Sequence, residues 1–389
     1  MPQVVVSDSV DALGSLATEV VRRVRALGRL RIVAVTGSNG KTTTKNLLGA
    51  ILSRRGETVA AKESFNNEVG GPHTMLRLTE TTDFLAAEMG ASGKGEISRL
   101  IRMAHPDVGI VLTVGLAHAG EFGGIERTVE AKSEMVRDLL PEDVAILNAD
   151  DFRVAGMAEV TRARVVRFGR SAGDVRAEDV RADARGTSFT LVLPGEEPRP
   201  VRFAVLGEHH VTNALAAAAA TSVLGVPADD IVAGLESVTR AERWRMEVLP
   251  GENVTVINDA YNASPDSMAA ALKTLAQVAP GRTVAVLGEM SELGDLAGEE
   301  HDRIGLLAVR LNIGQLVVVG PGARRIHLAA GLQGSWDGES MYVEDLDEAE
   351  EVLAGILRAG DTVLVKSSNS ARLRFLGDRL GELVSCRRF

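Results

Sequence analysis

The stretch VAVTGSNGKTTT, residues 33–44, decides the fold of the first part of the chain. It begins inside Ile32–Val35, an apolar and mostly β-branched run that is typical of a buried strand. Gly37 and Gly40 follow, and glycine permits backbone conformations that are closed to other residues. From Lys41 onward, apolar residues recur at helical spacing. The stretch therefore predicts a strand, a tight loop and a helix.

This arrangement suits a phosphate group, because the first turn of a helix offers unpaired N–H groups and the positive end of its dipole. Lys41 would reach the β- and γ-phosphates, and the hydroxyl of Thr42 would bind Mg²⁺. The full phosphate-loop pattern requires a glycine at position 35, where this chain has Val35. The alternative is an ordinary turn followed by a helix cap. Because a strand precedes the loop and an amphipathic helix follows it, we expect ATP binding.

Composition limits the classes of protein to consider. The chain has 389 residues, enough for two or three domains, and 45% of them are hydrophobic. Its 43 basic and 53 acidic residues give a net charge of −10, which argues against a nucleic-acid binder. The single cysteine, Cys386, excludes an internal disulfide framework and fits a reducing compartment. The chain has neither a signal-peptide pattern at its start nor a long apolar run, so we expect a cytoplasmic protein that does not bind membranes.

The pattern of elements predicts an α/β protein with three segments. Residues 1–28 contain one helix, which we interpret as a linker helix because it has little to pack on. Residues 29–240 alternate strands and helices, as a central parallel sheet of the phosphate-loop type does, with a small antiparallel excursion at 165–205. Residues 241–389 resume the alternation and predict a smaller, doubly wound C-terminal domain.

Polar residues fall at or just after predicted strand ends, where ligands bind in parallel sheets. A carboxylate at Glu88 could bind Mg²⁺, or it could be a solvated charge. His118 follows another strand, but a lone histidine is more often structural than a ligand. Lys132 lies on a predicted helix and, taken alone, is typical of a protein surface.

Three further residues carry weak individual signals. Asn213 lies one turn into an alanine-rich helix, where it could simply bond to the helix start. Arg245 and Asp259 could be ordinary surface charges, and NDAYNASPDS (258–267) is rich in turn formers. Taken together with the phosphate loop, these residues suggest an enzyme that closes two domains over ATP.

At this point the chain resembles the Mur ligase family, most closely its MurF branch. The resemblance covers about residues 5–385 and rests on motifs that occur in the family's order: TGSNGKTTTK, SFNNEVGGP, EMGASGKGEI, AHAGEFGG, EAKSEM, LNADD, GEHHVTNALAAAA, RWRMEV, NDAYNASPDSM and LGEMSELG. It implies that ATP phosphorylates the peptide carboxylate of UDP-N-acetylmuramoyl-tripeptide. The amino group of D-Ala-D-Ala then attacks the acyl phosphate, and the protein supplies positioning and charge neutralisation.

The resemblance also implies roles for individual residues. The catalytic group comprises Lys41, Glu88, His118, Lys132 and Arg245. ATP would be held by Gly37, Ser38, Asn39, Gly40, Lys41, Thr42 and Thr43, by Asn213 near the adenine, by Arg245 at the γ-phosphate after closure and by Asp259 at the ribose. Two Mg²⁺ sites would use Thr42 and Glu88, then His118 and a carbamoylated Lys132. The two substrates would be bound by Asn66, Asn67, Ser92, Tyr261, Asn262 and Ser264.

Two departures from the family pattern leave alternatives open. The family implies a further domain before residues 1–28 that binds the uridine nucleotide, so we interpret the linker helix as the remnant of a junction to a missing domain. The family also implies an arginine where this chain has Asn369. The alternatives are an amide ligase for a different acid and amine in a specialised pathway, or a non-catalytic nucleotide-binding regulator. We expect a monomer.

Overall fold

The strand expected at residues 32–35 is present as β1, Arg31–Thr36, in the interior of the first of two sheets. The computed structural model describes residues 3–61, 64–116, 124–183, 186–238, 242–333 and 339–386. Every residue of β1 from Ile32 onward is buried. A strand that is covered on both faces is apolar without alternation, which is why its sequence was recognisable.

Among the described residues, the first sheet contains nine strands. After β1 these are β2 Thr58–Ala60, β3 Phe84–Glu88, β4 Val108–Val111, β5 Val144–Asn148, β6 Arg164–Gly169, β7 Val175–Asp183, β8 Gly186–Val192 and β9 Arg199–Phe203. Their order is β2-β3-β1-β4-β5-β6-β7-β8-β9, which is parallel as far as β7. The antiparallel excursion is confirmed for β7 to β9. The expectation of an antiparallel strand was wrong for β6, because a helical crossover after β5 returns the chain in the parallel direction.

Helices cover both faces of this sheet. One face packs against α2 Lys41–Leu52, α7 His209–Val223 and α8 Ala228–Ser237. The other packs against α1 Ser9–Arg25, α3 Gly70–Met75, α4 Glu96–Ala104, α5 Ile125–Arg137 and the short α6 Phe152–Ala155. No helix in these described ranges is long and apolar enough to cross a membrane.

The first helix packs on the first sheet, and the expectation that it has little to pack on was wrong. Ala17, Val21 and Val24 of α1 are buried in the same apolar cluster as residues of α3 and α4. The guanidinium of Arg25 also pairs with Asp107, which precedes β4. The sequence shows the apolar face of a helix but not its partner, since α3 and α4 lie more than 40 residues further along the chain.

The second sheet has the predicted doubly wound arrangement. Its strands are β10 Glu247–Pro250, β11 Thr255–Asn258, β12 Thr283–Leu287, β13 Gln315–Val319, β14 Ser340–Val343 and β15 Thr362–Lys366. Their order is β10-β11-β15-β12-β13-β14, and β10 alone among them pairs in the antiparallel sense. One face packs against α9 Pro265–Val278, α10 Ala297–Arg310 and α11 Arg324–Gly331, and the other against α12 Leu346–Ile356 and α13 Leu373–Cys386.

The carboxyl ends of strands from both sheets meet at one place. Glu88 ends β3 and Asn148 ends β5, while Asp259 follows β11 and Lys366 ends β15. All four residues line the same cavity. The two sheets therefore present to each other the edges at which parallel sheets bind ligands.

Candidate functional site

A cavity of about 790 Å³, which we call the central cavity, lies between the two sheets. It brings together most of the residues that the sequence predicted. Those that line it are Ser38, Asn39, Gly40, Lys41, Thr42, Thr43, Asn66, Asn67, Glu88, Ser92, Asn213, Arg245, Asp259, Tyr261, Asn262 and Ser264. Gly37 and Lys132 are outside this lining. His118 lies outside the described residues.

The loop between β1 and α2 packs closely on α7. Gly40 has a φ of +84°, in the left-handed region, and a Cβ atom added there would lie 2.2 Å from Asn213 Oδ1. Backbone conformation and packing therefore both require glycine. The ammonium of Lys41 donates to the carbonyl of Gly37 at 2.7 Å. The loop thus holds a cation beside a helix N-terminus, as a phosphate site requires.

Glu88 is the carboxylate best placed to bind a metal ion. Its side chain is buried, and its Oε1 accepts from the amide of Asn66 at 2.8 Å. Its Oε2 is buried without a hydrogen-bond partner among the residues described. Leaving such an oxygen unsatisfied is unfavourable unless a ligand binds it. Mg²⁺ prefers oxygen ligands and takes the rest of its coordination from nucleotide phosphates and water, so Glu88 and the hydroxyl of Thr42 fit this ion.

The described ranges contain no cluster of three or more histidine, cysteine or acidic side chains that could hold a metal alone.

Lys132 is buried within the first sheet's helical layer. It lies on α5 with 1% of its surface exposed, so it is not the surface lysine that the residue alone would suggest. Burial, and to a smaller extent the charge of Lys41, lowers the pKa of Lys132 to about 7. Burial also lowers the pKa of Lys41, against the opposing effect of Glu88. Lys132 therefore exchanges its proton near neutral pH, which an exposed lysine does not.

Arg245 reaches the central cavity from the segment before β10, and three side chains contact its guanidinium. Its guanidinium lies 4.0 Å from the centroid of the Tyr261 ring. Its Nη2 donates to Ser64 Oγ at 3.1 Å, and its Nε lies 3.3 Å from Glu242 Oε2. The arginine is therefore oriented by residues of both halves of the chain.

Asp259 is oriented by a buried lysine. Its Oδ2 accepts from Lys366 Nζ at 2.6 Å, and its Oδ1 accepts from the N–H of Met246 at 3.0 Å. Lys366 also donates to the carbonyl of Asn262 at 3.1 Å. These bonds hold the loop after β11 around one ammonium group.

Two of the predicted substrate residues, Ser264 and Asn67, make different kinds of contact. Ser264 caps α9 and donates to Asn39 Oδ1 at 3.1 Å, so it joins the second sheet's loop to the phosphate loop. By contrast, the side-chain oxygen of Asn67 accepts hydrogen bonds from the N–H groups of Val69 and Gly70. This bonding gives Asn67 a structural task in addition to its place on the cavity wall.

The sequence analysis missed further residues of the central cavity, among them Ser64, His209, His210 and Lys366. Burial lowers the pKa of His209 to about 4 and that of His210 well below its ordinary value, so both imidazoles are neutral. Ser64 and the two histidines lie within quoted motifs, and Lys366 ends a strand. Membership of a motif and a position at a strand end were therefore the sequence features that could have identified these residues.

Comparisons with known proteins cover both sheets of the chain. The family model of the Mur ligase middle domain matches residues 35–221, and that of the Mur ligase glutamate ligase domain matches residues 244–369. A curated relative from Mycobacterium bovis, UDP-N-acetylmuramoyl-tripeptide–D-alanyl-D-alanine ligase, is 45% identical over 95% of this chain and 76% of its own length.

Two solved structures match nearly the whole chain. MurF from Acinetobacter baumannii has a TM-score of 0.89 at 34% identity, over 98% of this chain and 82% of that one. MurF ligase from Thermotoga maritima, solved in complex with ADP, has a TM-score of 0.88 at 27% identity, over 99% of this chain and 86% of that one.

Proposed function

The chain belongs to the Mur ligase family, and we propose that it joins D-Ala-D-Ala to UDP-N-acetylmuramoyl-tripeptide with conversion of ATP to ADP and phosphate. One observation carries the proposal: Lys41, Glu88 and Arg245 line a single cavity between the two sheets. This arrangement supplies two cations and a carboxylate with an unpartnered oxygen at one place, as phosphoryl transfer requires. The product is a precursor of peptidoglycan, and the compartment that we propose is the cytoplasm.

The phosphate end of the cavity acts by positioning and charge. The N–H groups at the start of α2 and the ammonium of Lys41 bind the phosphate oxygens. Thr42 and Glu88 would hold Mg²⁺, which supplies neutralisation of the phosphate charge when bound. Arg245 neutralises the charge that develops on the γ-phosphoryl group as it is transferred.

The acceptor peptide ends in a carboxylate, and one of its oxygens attacks the γ-phosphorus while ADP leaves. The amino group of the dipeptide then attacks the acyl carbon and phosphate leaves, which forms the amide and releases a proton. Asn66, Ser92, Tyr261, Asn262 and Ser264 are the residues that we propose to orient the two substrates. Asn213 and Asp259 would contact the adenine and the ribose.

We further propose that Lys132 is carbamoylated. The chemistry requires a neutral amine, whose nitrogen attacks CO₂ and loses a proton to give a carbamate anion. The pKa of about 7 supports this step, because a large share of the amine is neutral at physiological pH. The anion would support a second Mg²⁺ together with His118.

We also propose that the chain divides into domains near residue 240, as 29–240 and 241–389. The family models support this division, since one match ends at residue 221 and the next begins at 244. The helix α1 would then belong with the first of these domains, because its apolar face packs there.

A ligation assay followed by mass spectrometry tests the function. The protein is mixed with Mg-ATP, D-Ala-D-Ala and UDP-N-acetylmuramoyl-tripeptide, and we expect the pentapeptide product together with one ADP for each product. Omission of the dipeptide is the control. ADP binding without product in the complete mixture would contradict this function and favour another acid and amine.

A further inference from the structure

The hydroxyl of Ser64 occupies a junction between the phosphate loop and the second sheet. Its Oγ lies 3.3 Å from Thr42 Oγ1, on the first turn of α2. It also lies 3.1 Å from Arg245 Nη2 and 3.2 Å from the hydroxyl of Tyr261. Three residues that are distant in sequence thus meet on one oxygen atom.

The hydrogen-bonding capacity of a serine hydroxyl determines how these contacts are shared. The group has one hydrogen to donate and two lone pairs that accept. A guanidinium can only donate, so Arg245 uses one lone pair of Ser64. The hydroxyl of Tyr261 donates to the other lone pair, which leaves the hydrogen of Ser64 for Thr42. Three neighbours therefore saturate Ser64.

The contacts of Ser64 also fix the direction of its bond to Thr42. Arg245 and Tyr261 both donate to Ser64 and use its two lone pairs, so Ser64 donates its own hydrogen to Thr42 Oγ1, 3.3 Å away. Thr42 then accepts with one lone pair and keeps the second for a cation. The bonds form one directed chain from the second sheet to the phosphate loop.

We infer that Ser64 is a positioning residue that couples closure of the two sheets to the assembly of the phosphate site. It holds Arg245 and Tyr261 at the central cavity and orients the hydroxyl of Thr42. Glu242 also links Arg245 to α2, since its carboxylate contacts Asn46 Nδ2 at 2.5 Å and Arg245 Nε at 3.3 Å. This inference rests on the proposed function for its kinetic test but not for its structural test.

The kinetic test is a double-mutant cycle between Ser64→Ala and Arg245→Met. We expect Ser64→Ala to lower kcat about 10- to 100-fold, with a change in the KM for ATP below about threefold, because Ser64 positions Arg245, which acts on the γ-phosphoryl group as it is transferred. In the Arg245→Met background, Ser64→Ala should change kcat by less than about threefold. Ser64→Thr keeps the hydroxyl and should restore most of the activity.

The structural test needs no turnover. Solution scattering is measured for each variant with and without Mg²⁺ and a non-hydrolysable ATP analogue, and calorimetry gives the Kd of the analogue. We expect the parent protein to become more compact and Ser64→Ala to keep close to its nucleotide-free radius of gyration. Ser237→Ala is the matched control, since its hydroxyl bonds to the carbonyl of Gly234, away from the cavity.

Additive effects in the cycle, or equal compaction of Ser64→Ala and the parent protein, would overturn the role of Ser64. Failure of the parent protein to form product is a separate result, which counts against the proposed function. The scattering comparison still decides the role of Ser64 in that case.

Discussion

Lys366 and Asp259 form an ion pair 2.6 Å long between the end of β15 and the residue that follows β11. The lysine is 2% exposed and the aspartate 15%. The two strands are neighbours in the second sheet, so the pair joins the loops that extend from them into the central cavity.

Removing the lysine from this pair should destabilise the protein. Lys366→Met leaves the carboxylate of Asp259 largely buried without its cation, and we expect the free energy of unfolding to fall by about 2–4 kcal/mol. Urea denaturation measures the change. Lys273→Met, which alters an exposed lysine of α9, is the control and should shift the free energy by less than about 0.5 kcal/mol. A change of that small size in Lys366→Met would contradict the structural importance of the pair.

The packing of Gly40 against Asn213 leads to a second prediction. Gly40→Ala should weaken ADP binding more than tenfold, because the new methyl group would displace either Asn213 or the phosphate loop. Gly195 has a similar φ of +74° but no atom near its added Cβ, so Gly195→Ala separates backbone strain from collision. Calorimetry on both variants makes the comparison. Equal affinities in the two variants would show that the contact has no part in nucleotide binding.

The proposed carbamate on Lys132 predicts a chemical rescue. Lys132→Ala should lose at least about 100-fold in kcat, since an anion that supports a metal is removed from the site. Short carboxylates such as acetate should restore part of the rate by occupying the vacated space, whereas matched chloride salts should not. Unchanged turnover in Lys132→Ala would exclude the modification from the reaction.

The same lysine predicts a dependence of stability on pH. Its pKa is about 7 in the folded protein and 10.5 in its ordinary state, so between these values the unfolded chain holds a proton that the folded protein has released. The contribution of Lys132 to the free energy of unfolding must therefore rise with pH across this window. In CO₂-free buffer, Lys132→Met should be more stable than the parent protein at pH 7, and this advantage should shrink towards pH 10. An advantage that is constant with pH would show that the lysine does not titrate abnormally.

Local signals were sufficient for a large part of this structure. The phosphate loop was recognisable because a buried strand, two glycines and an amphipathic helix are all written within about 20 consecutive residues. Glu88 was found because strand ends in a parallel sheet are binding positions. The resemblance then linked Lys132 and Arg245 to a mechanism, which neither residue indicates alone.

Contacts between distant segments could not be predicted from these signals. Ser64 and Tyr261 are 197 positions apart, and no periodicity or spacing indicates that they meet. The packing of α1 was missed for the same reason, since its partner helices follow the first strand. The direction of β6 depended on a crossover that contains only a short helix. In each case the determining interaction is tertiary, and the local pattern is compatible with several partners.

The place of β15 in the second sheet has a consequence for synthesis of the protein on the ribosome. This strand is the last of those that the structure describes, yet it lies between β11 and β12 and hydrogen-bonds to both. The earlier strands of that sheet cannot complete their pairing until residue 366 has left the exit tunnel. The second half of the nascent chain therefore stays incompletely folded until then, although every strand of the first sheet has already been synthesised. A premature stop codon before β15 removes the middle of a sheet rather than its edge, so even a short truncation would leave the second half unable to fold.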